Sequence, residues 1–155
     1  MAPTFEAASA GDLGVIRAML VASSLPVDDV DEHVAEFILG KQEGVTIGIV
    51  AAEYAGDAAL LRSLCVAASH RGQAVGARLL AAIEGKAAAR GVREIYLLTT
   101  NTAAYFERHG FSETSRDAAP AGIRNTAQFR TLCPATAVCM RKTLPLMSRS
   151  KAGAP

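Results

Sequence analysis

The chain has 155 residues, the length of one domain, and half of them are apolar, so a core can form without disulfide staples. The formal net charge of +1 predicts no basic surface of the kind that binds nucleic acid or an anionic membrane. Residues 1–10 lack the basic and apolar stretches of a secretory signal, and no apolar run is long enough to cross a bilayer. We therefore expect a cytoplasmic protein.

The first half of the chain predicts one strand, two helices and a three-stranded meander. Apolar Leu13, Ile16 and Leu20 recur at helical spacing after Asp12, a cap or first-turn acid. Short turns separate the later apolar runs, as in antiparallel hairpins. The predicted elements are a strand at Thr4–Ser9, a helix from Gly11 that is broken at Ser23–Pro26, an acidic helix at Val27–Val34 whose Asp28, Asp29, Asp31 and Glu32 are mostly solvated, and strands at Phe37–Gln42, Val45–Tyr54 and Leu60–Val66.

The second half alternates helices and strands. Val75, Leu79 and Ile83 recur at four-residue steps, and Gly91 supplies a helix C-cap. A strand, a crossover helix and a second strand within 60–100 imply one parallel pair in the sheet. The predicted elements are helices at Ala74–Arg90, Thr102–His109 and Ala119–Thr131, and strands at Glu94–Thr100, Phe111–Ser115 and Ala137–Leu144.

These elements predict an α/β fold with a mixed, mostly antiparallel sheet, a central parallel strand pair and flanking helices. One domain would occupy residues 1–144, and the apolar-poor tail at 145–155 is expected to be disordered. The three cysteines have unrelated spacings, which favours reduced, buried thiols. A metal or metalloid site at Cys133 and Cys139 is the alternative, although a free cysteine more often behaves as a small hydrophobe.

The segment Leu60–Ala81 predicts an anion site. An apolar strand ends at Val66, a polar turn with Arg71 and Gly72 follows, and a helix opens at small residues near Gly76. The first N–H groups of such a helix lack partners, and with the positive end of the helix dipole they bind anions such as pyrophosphate. The alternative is an ordinary strand, turn and helix of an α/β protein.

The same segment resembles the acyl-CoA-binding motif of the GNAT N-acetyltransferases: Arg or Gln, two residues, Gly, one residue, then Gly or Ala. Arg71 and Gly76 match its ends, and Ala74 replaces the first Gly, where we expect alanine to fit on a helical backbone. The downstream run Tyr105–Phe111 resembles the family's next signature, an aromatic pair followed by Gly-Phe. The resemblance covers residues 4–144 and implies the GNAT fold, an acetyl-CoA-dependent N-acetyltransferase, a small-molecule amine as partner and no metal; a homodimer is left open.

The resemblance also implies a coenzyme A site. In the family, the strand before the motif separates from its neighbour, so that its main-chain groups bind the pantetheine arm. The turn and the start of the helix then hold the pyrophosphate. The implied cofactor-binding residues are Leu64, Cys65, Val66, Arg71, Gly72, Gln73, Ala74, Val75, Gly76, Ala77 and Phe106.

For proton transfer, many relatives use a tyrosine four residues before the Gly of the Gly-Phe pair. Phe106 occupies that position here, so Tyr105 is the candidate general acid, with ring packing as the alternative. Phe106 also leaves open a non-catalytic acyl-CoA or metalloid sensor. Glu53 and Glu32 are candidate general bases.

Arg62 interrupts an apolar strand, and a cation in a half-buried strand needs a partner. It either binds an anionic substrate beside Ser63 or forms an internal ion pair with Glu53 or Asp57. Weaker candidates for binding the substrate are Arg124 and Arg130.

Two finer resemblances bear on the acceptor. Tyr96–Thr100 together with Tyr105–Phe111 looks like the catalytic domain of N-acetylglutamate synthases, whereas stretches within 116–142 look like the short acetyltransferases of bacterial arsenic resistance. We favour the second, which implies a glutamate-mimicking acceptor such as arsinothricin or phosphinothricin. Glutamate or another amino acid is the alternative, and either substrate rests on family analogy.

Overall fold

The computed structural model describes residues 2–33, 36–132 and 136–145. Its sheet takes the strands in the order β1-β2-β3-β4-β5-β7-β6, and β4 and β5 are parallel, which confirms the predicted mixed sheet with a central parallel pair. The strands are β1 (Thr4–Ala7), β2 (Phe37–Gln42), β3 (Val45–Ala55), β4 (Ala58–Val66), β5 (Glu94–Thr99), β6 (Ser112–Thr114) and β7 (Val138–Thr143). The helices are α1 (Leu13–Ala22), α2 (Val30–His33), α3 (Val75–Ala89), α4 (Ala103–Arg108) and α5 (Ala121–Arg124).

The chain divides into two compact units. Unit 1 comprises the chain up to Glu53 together with Leu61–Ile83, and unit 2 comprises Tyr54–Leu60 together with the chain from Glu84 on. None of the helices within the described ranges combines the length and the apolar character needed to span a membrane.

Unit 1 contains the β1–β2–β3 meander, in which both strand pairs are antiparallel. The predicted turn between β2 and β3 has positive φ at Glu43 (53°) and Gly44 (80°), the conformation that suits a two-residue hairpin. Helix α1 follows a 3₁₀ turn in which Asp12 accepts a hydrogen bond from the Ser9 N–H at 2.8 Å, as a capping acid does. The core of this unit consists of Ile16, Leu20, Val30, Phe37, Leu39, Ile49, Ala51 and Cys65.

Gly48 on β3 allows α3 to approach the strand closely. A Cβ at this position would lie 2.6 Å from Leu79 Cδ1 and 3.3 Å from the Cys65 carbonyl oxygen, so no larger residue fits without displacement. Val75, Leu79 and Ile83, the apolar positions predicted for α3, are all buried. Packing in unit 1 therefore fixes the position of α3, the helix that follows the predicted cofactor turn.

Unit 2 contains the parallel register of β4 with β5, which pairs Ala58–Leu60 with Glu94–Tyr96. Strand β7 pairs antiparallel with both β5 and β6. The Lys142 ammonium donates to Glu84 at 2.9 Å and to the His109 carbonyl at 2.9 Å, so the end of α4 is tied to β7. The core of this unit consists of Ala58, Leu60, Tyr96, Ala119, Ile123, Phe129 and Cys139.

The single helix predicted at Ala119–Thr131 is wrong. Helix α5 ends at Arg124, and a separate π-helical turn occupies Gln128–Leu132. Thr126 explains the break, because its hydroxyl donates to the Ile123 carbonyl at 2.7 Å and competes with helical bonding. The acidic helix predicted at 27–34 is shorter and spans Val30–His33. The tail was predicted to be disordered, and from residue 146 on it lies outside the described residues.

Candidate active site

The turn between β4 and α3 presents main-chain donors. A 3₁₀ turn at Ala68–His70 leads into Arg71–Ala74, and α3 begins at Val75. The Arg78 N–H donates to the Ala74 carbonyl at 3.1 Å, so the N–H groups of residues 75–77 precede the first hydrogen bond of the helix. An anion at this end of α3 would meet those donors and the positive end of the helix dipole.

Two residues of this cofactor turn, Arg71–Ala74, have left-handed backbones. Gly72 has φ of 83° and Ala74 has φ of 64°. The expectation of a helical backbone at Ala74 is therefore wrong: the position requires the conformation that glycine adopts without strain, and an alanine Cβ makes it costly by about 1–2 kcal/mol. The strain explains why the family motif has glycine there.

Arg71 is anchored at the turn. Its Nε donates to the Val66 carbonyl at 3.1 Å, which joins the end of β4 to the predicted pyrophosphate site. The side chain is otherwise exposed, as is that of Gln73. The structure therefore brings the cationic residue of the motif and the start of α3 together within unit 1.

Strand β4 is irregular just before the predicted pantetheine segment, Leu64–Val66. Ser63 has φ of 64°, a left-handed value inside an extended strand. Cys65 is buried in the core of unit 1, and burial raises the pKa of its thiol to about 11, so the thiol keeps its proton near neutral pH. Its predicted contribution to cofactor binding must therefore come from the main chain.

Arg62 lies in an internal ion-pair network. Its side chain is 1% exposed. Its Nη1 and Nη2 donate to the two oxygens of Asp29 at 2.6 and 2.7 Å, and Nη1 also donates to Glu53 at 2.9 Å. Nε donates to the Ser63 hydroxyl at 3.1 Å. This is the ion-pair alternative, with Glu53 as predicted. Because the side chain is 1% exposed and four of its five N–H donors are used, a substrate anion would have to displace a carboxylate.

Asp29 is the partner that sequence reasoning missed. The prediction of a solvated carboxylate is wrong, because Asp29 is buried against Arg62. Burial alone would raise the pKa of Asp29, but the hydrogen bonds and the charge of Arg62 outweigh it and lower that pKa below its ordinary value. Asp29 therefore stays ionised at neutral pH.

His33 completes the Arg62 network, which we define as Asp29, His33, Glu53 and Arg62. His33 Nε2 lies 3.6 Å from Asp29 Oδ2 and 3.8 Å from Glu53 Oε1, and its side chain is 25% exposed. Ligand atoms of the histidine and the two carboxylates lie within 4.8 Å of one another, a spacing suited to a cation, but the Arg62 guanidinium already fills that role. In the sequence, the i, i+4 spacing of Asp29 and His33 is the feature that could have indicated that these two residues are neighbours.

Tyr105 and Phe106 lie on α4 in unit 2. Phe106 is buried and stacks edge-on against Phe111 at 5.5 Å between ring centroids. The Tyr105 ring lies 4.6 Å from the His109 ring. Burial raises the pKa of the Tyr105 hydroxyl, and the Arg108 charge opposes this only in part. The hydroxyl is therefore protonated at neutral pH, as a proton donor must be, but it is a weak acid.

The other candidate residues have the following positions. Arg124 on α5 is exposed, with Nε donating to the Ala119 carbonyl at 2.9 Å, and Arg130 is exposed on the π-helical turn. The side chain of Glu32 and all of Cys133 lie outside what the structure describes. Cys139 is buried, which raises the pKa of its thiol.

The family follows from comparison with known proteins. A family profile described as an acetyltransferase (GNAT) domain matches residues 33–113, which include the whole cofactor turn. The chain belongs to the GNAT acetyltransferases. An uncharacterized N-acetyltransferase of Chlorobaculum tepidum supports this, being 32% identical over 123 residues that cover 76% of this GNAT chain and 77% of that protein.

Two further relatives of this GNAT domain are longer proteins. An amino-acid acetyltransferase of Neisseria meningitidis is 33% identical over 92 residues, which cover 58% of this chain and 21% of that one. The structure of N-acetylglutamate synthase from Neisseria gonorrhoeae complexed with coenzyme A and L-arginine matches with a TM-score of 0.80 and 25% identity, over 93% of this chain and 34% of that one. The chain thus spans only about a fifth to a third of these two relatives.

Family membership identifies an N-acetyltransferase that uses acetyl-CoA as acetyl donor. The residues of the cofactor turn fit that donor, because bare N–H groups and Arg71 suit a pyrophosphate. The acceptor is not identified by the family.

Proposed function

We propose that this GNAT enzyme acetylates the α-amine of an amino acid with an anionic side chain, either glutamate or an analogue such as arsinothricin or phosphinothricin. The observation that carries the proposal is the charge of the Arg62 network. One guanidinium lies between two carboxylates, which leaves one negative charge in excess beside the partly exposed His33. An α-ammonium group is attracted to such an excess charge.

The network lies close in sequence and in space to the predicted donor site. Arg62 donates to the Ser63 hydroxyl, and Ser63 directly precedes the segment Leu64–Val66 that we infer binds the pantetheine arm. The cofactor turn and residues 75–77 would hold the pyrophosphate, and acetyl-CoA supplies an activated acetyl thioester. The chain's own contribution is to place an amine beside that thioester and to manage its protons.

The acidic side chain of the acceptor is supported by the two sequence resemblances, to N-acetylglutamate synthases and to arsenic-resistance acetyltransferases. With Arg62 engaged by two carboxylates, contacts with the anionic group would have to come from other residues. The reduced, buried thiols of Cys65 and Cys139 support a cytoplasmic location, and the homodimer remains a prediction.

An acceptor screen tests the proposal. Release of coenzyme A thiol is measured with glutamate, phosphinothricin, arsinothricin and an aminoglycoside, and with glutamine as the neutral, matched control for glutamate. A charge-assisted contact to the side chain is worth about 1.5–3 kcal/mol, so kcat/KM for the acidic acceptors should exceed that for glutamine by roughly 10- to 150-fold. Equal rates with glutamine, or a preference for the aminoglycoside, would overturn the proposal.

A further inference from the structure

His33 is a titratable group placed against two carboxylates and used by none of the roles assigned so far. We propose that His33 is the proton acceptor for the amine, an inference that rests on the proposed function. Its Nε2 faces Asp29 and Glu53 at 3.6 and 3.8 Å, so these carboxylates favour the tautomer with the proton on Nε2. The lone pair is then on Nδ1, which receives the proton.

The charged groups around His33 suit this role. Asp29 approaches His33 from the loop before α2, and Glu53 approaches it from β3. Arg62 of β4 forms ion pairs with both carboxylates. On α2 itself, Asp31 is exposed and pairs with Arg17 of α1. Because the network carries one excess negative charge, the imidazolium formed by proton transfer restores its neutrality. Asp29, Glu53 and Arg62 are positioning residues in this scheme.

The proton balance of the transfer is complete. An acceptor R–NH₃⁺ gives one proton to His33 Nδ1, and the nitrogen lone pair then forms a C–N bond with the thioester carbonyl carbon. The C–S bond breaks, and the departing thiolate takes the second proton that the nitrogen loses as the amide forms. His33 returns its proton to solvent, which its 25% exposed side chain permits. No further acid is required.

The first test is the pH dependence of His33→Gln. Near pH 7 the variant should lose roughly 10²-fold in kcat/KM for glutamate, the usual size of a general-base effect. The deficit should shrink about tenfold per pH unit as the pH approaches the pKa of the amine, because the free amine then loses its proton without help. A deficit that is constant with pH indicates a structural role and overturns the proposal, as does an unchanged kcat/KM.

The matched control is Asp31→Asn, which removes an exposed charge from the same helix without touching the network. It should leave kcat/KM and its pH profile unchanged. If Asp31→Asn reproduces the His33→Gln profile, the effect belongs to the charge of α2 and not to His33, and the proposal is wrong. If the wild-type enzyme releases no thiol with any amine, the proposed function itself fails.

The second test needs no turnover. The imidazole resonance of His33, assigned by its loss in His33→Gln, is recorded while glutamate is added in the presence of unacetylated coenzyme A, which cannot react. Contact with the amine should shift the His33 resonance away from the position that it has with coenzyme A alone, which serves as the reference. Saturable glutamate binding without any shift at His33 would overturn the proposal.

Discussion

The cofactor turn and the Arg62 network are both in unit 1, but the turn consists of main-chain groups and the network of charged side chains. The turn uses backbone: a left-handed Gly72, a left-handed Ala74 and the bare N–H groups that follow it. The network uses side chains, with a guanidinium 1% exposed between Asp29 and Glu53. A site made of main-chain donors depends on conformation and space, whereas a buried site made of charges depends on every partner being present.

This difference predicts how each region responds to substitution. A charge introduced at the start of α3 should alter ligand affinity more than folding, because it repels the bound anion while the backbone donors and the packing of the helix remain. Changes in the network should alter folding first, because a buried carboxylate left without its cation is costly. The following variants test that contrast, beginning with the largest expected effect.

Arg62→Met should lower the free energy of unfolding by about 3–5 kcal/mol, since two carboxylates lose their buried partner. Denaturant unfolding measures the change. Arg17→Met is the control: Arg17 pairs with Asp31 while 47% exposed, so its loss should cost about 1 kcal/mol or less. Similar losses for the two variants would contradict the contrast.

The difference in stability between wild type and Arg62→Met should depend on pH. Because the pKa of Asp29 is lowered in the folded state, its contribution to stability is present above the ordinary aspartate pKa and is lost as the pH falls through the folded-state value. The stability gap between wild type and Arg62→Met should therefore narrow in acid. A gap that widens as the pH falls would mean that Asp29 does not stabilise the fold through Arg62.

Gly76→Glu should weaken acetyl-CoA binding at least tenfold, about 1.4 kcal/mol, because a carboxylate at the start of α3 repels the pyrophosphate. Titration calorimetry measures the affinity, and thermal melting verifies the fold. Gly76→Gln has nearly the same size without the charge, so it should lose less. Unchanged affinity in a folded Gly76→Glu protein would show that acetyl-CoA does not bind at the cofactor turn.

Ala74→Gly should raise the free energy of unfolding by about 0.5–1 kcal/mol, because glycine relieves the left-handed strain at φ of 64° at some cost in unfolded-state entropy. Gly72→Ala, at φ of 83°, should change stability in the opposite direction. If Ala74→Gly instead destabilises the protein, as glycine does in a helix, the turn has a helical backbone and the assigned conformation is wrong.

Tyr105→Phe should have the smallest effect, a loss of less than threefold in kcat. The raised pKa of Tyr105 makes it a weak acid, and in the proposed proton balance the amine nitrogen supplies the proton that the thiolate takes. A loss of roughly 10²-fold with little change in KM would identify Tyr105 as the general acid and contradict the proton balance given for His33.

Local sequence was sufficient to predict most elements, including a turn between β4 and α3. Strand β2, the buried face of α3 and the parallel β4–β5 pair were predicted because each depends on periodicity or on short connections between neighbours. The failure at Ala74 has a local cause too, since a family substitution does not reveal the sign of φ.

The Arg62 network could be predicted only in part. Glu53 was named as a partner because it lies on the adjoining strand of the hairpin, nine positions from Arg62. Asp29 is 33 positions away, and its acidic neighbours made it look like one more solvated carboxylate. Burial of a charge is decided by tertiary packing, which a single sequence does not display. His33 was missed for the same reason.

The most direct test of the central claim is the stoichiometry of the reaction with glutamate. Purified enzyme, acetyl-CoA and glutamate are incubated, thiol release is followed, and N-acetylglutamate is measured by mass spectrometry beside a parallel reaction with glutamine. Acetyl transfer to an acidic amino acid predicts one N-acetylglutamate for each thiol released and a rate roughly tenfold or more above that with glutamine. Thiol release without acetylated product, or equal product from glutamine, would contradict it.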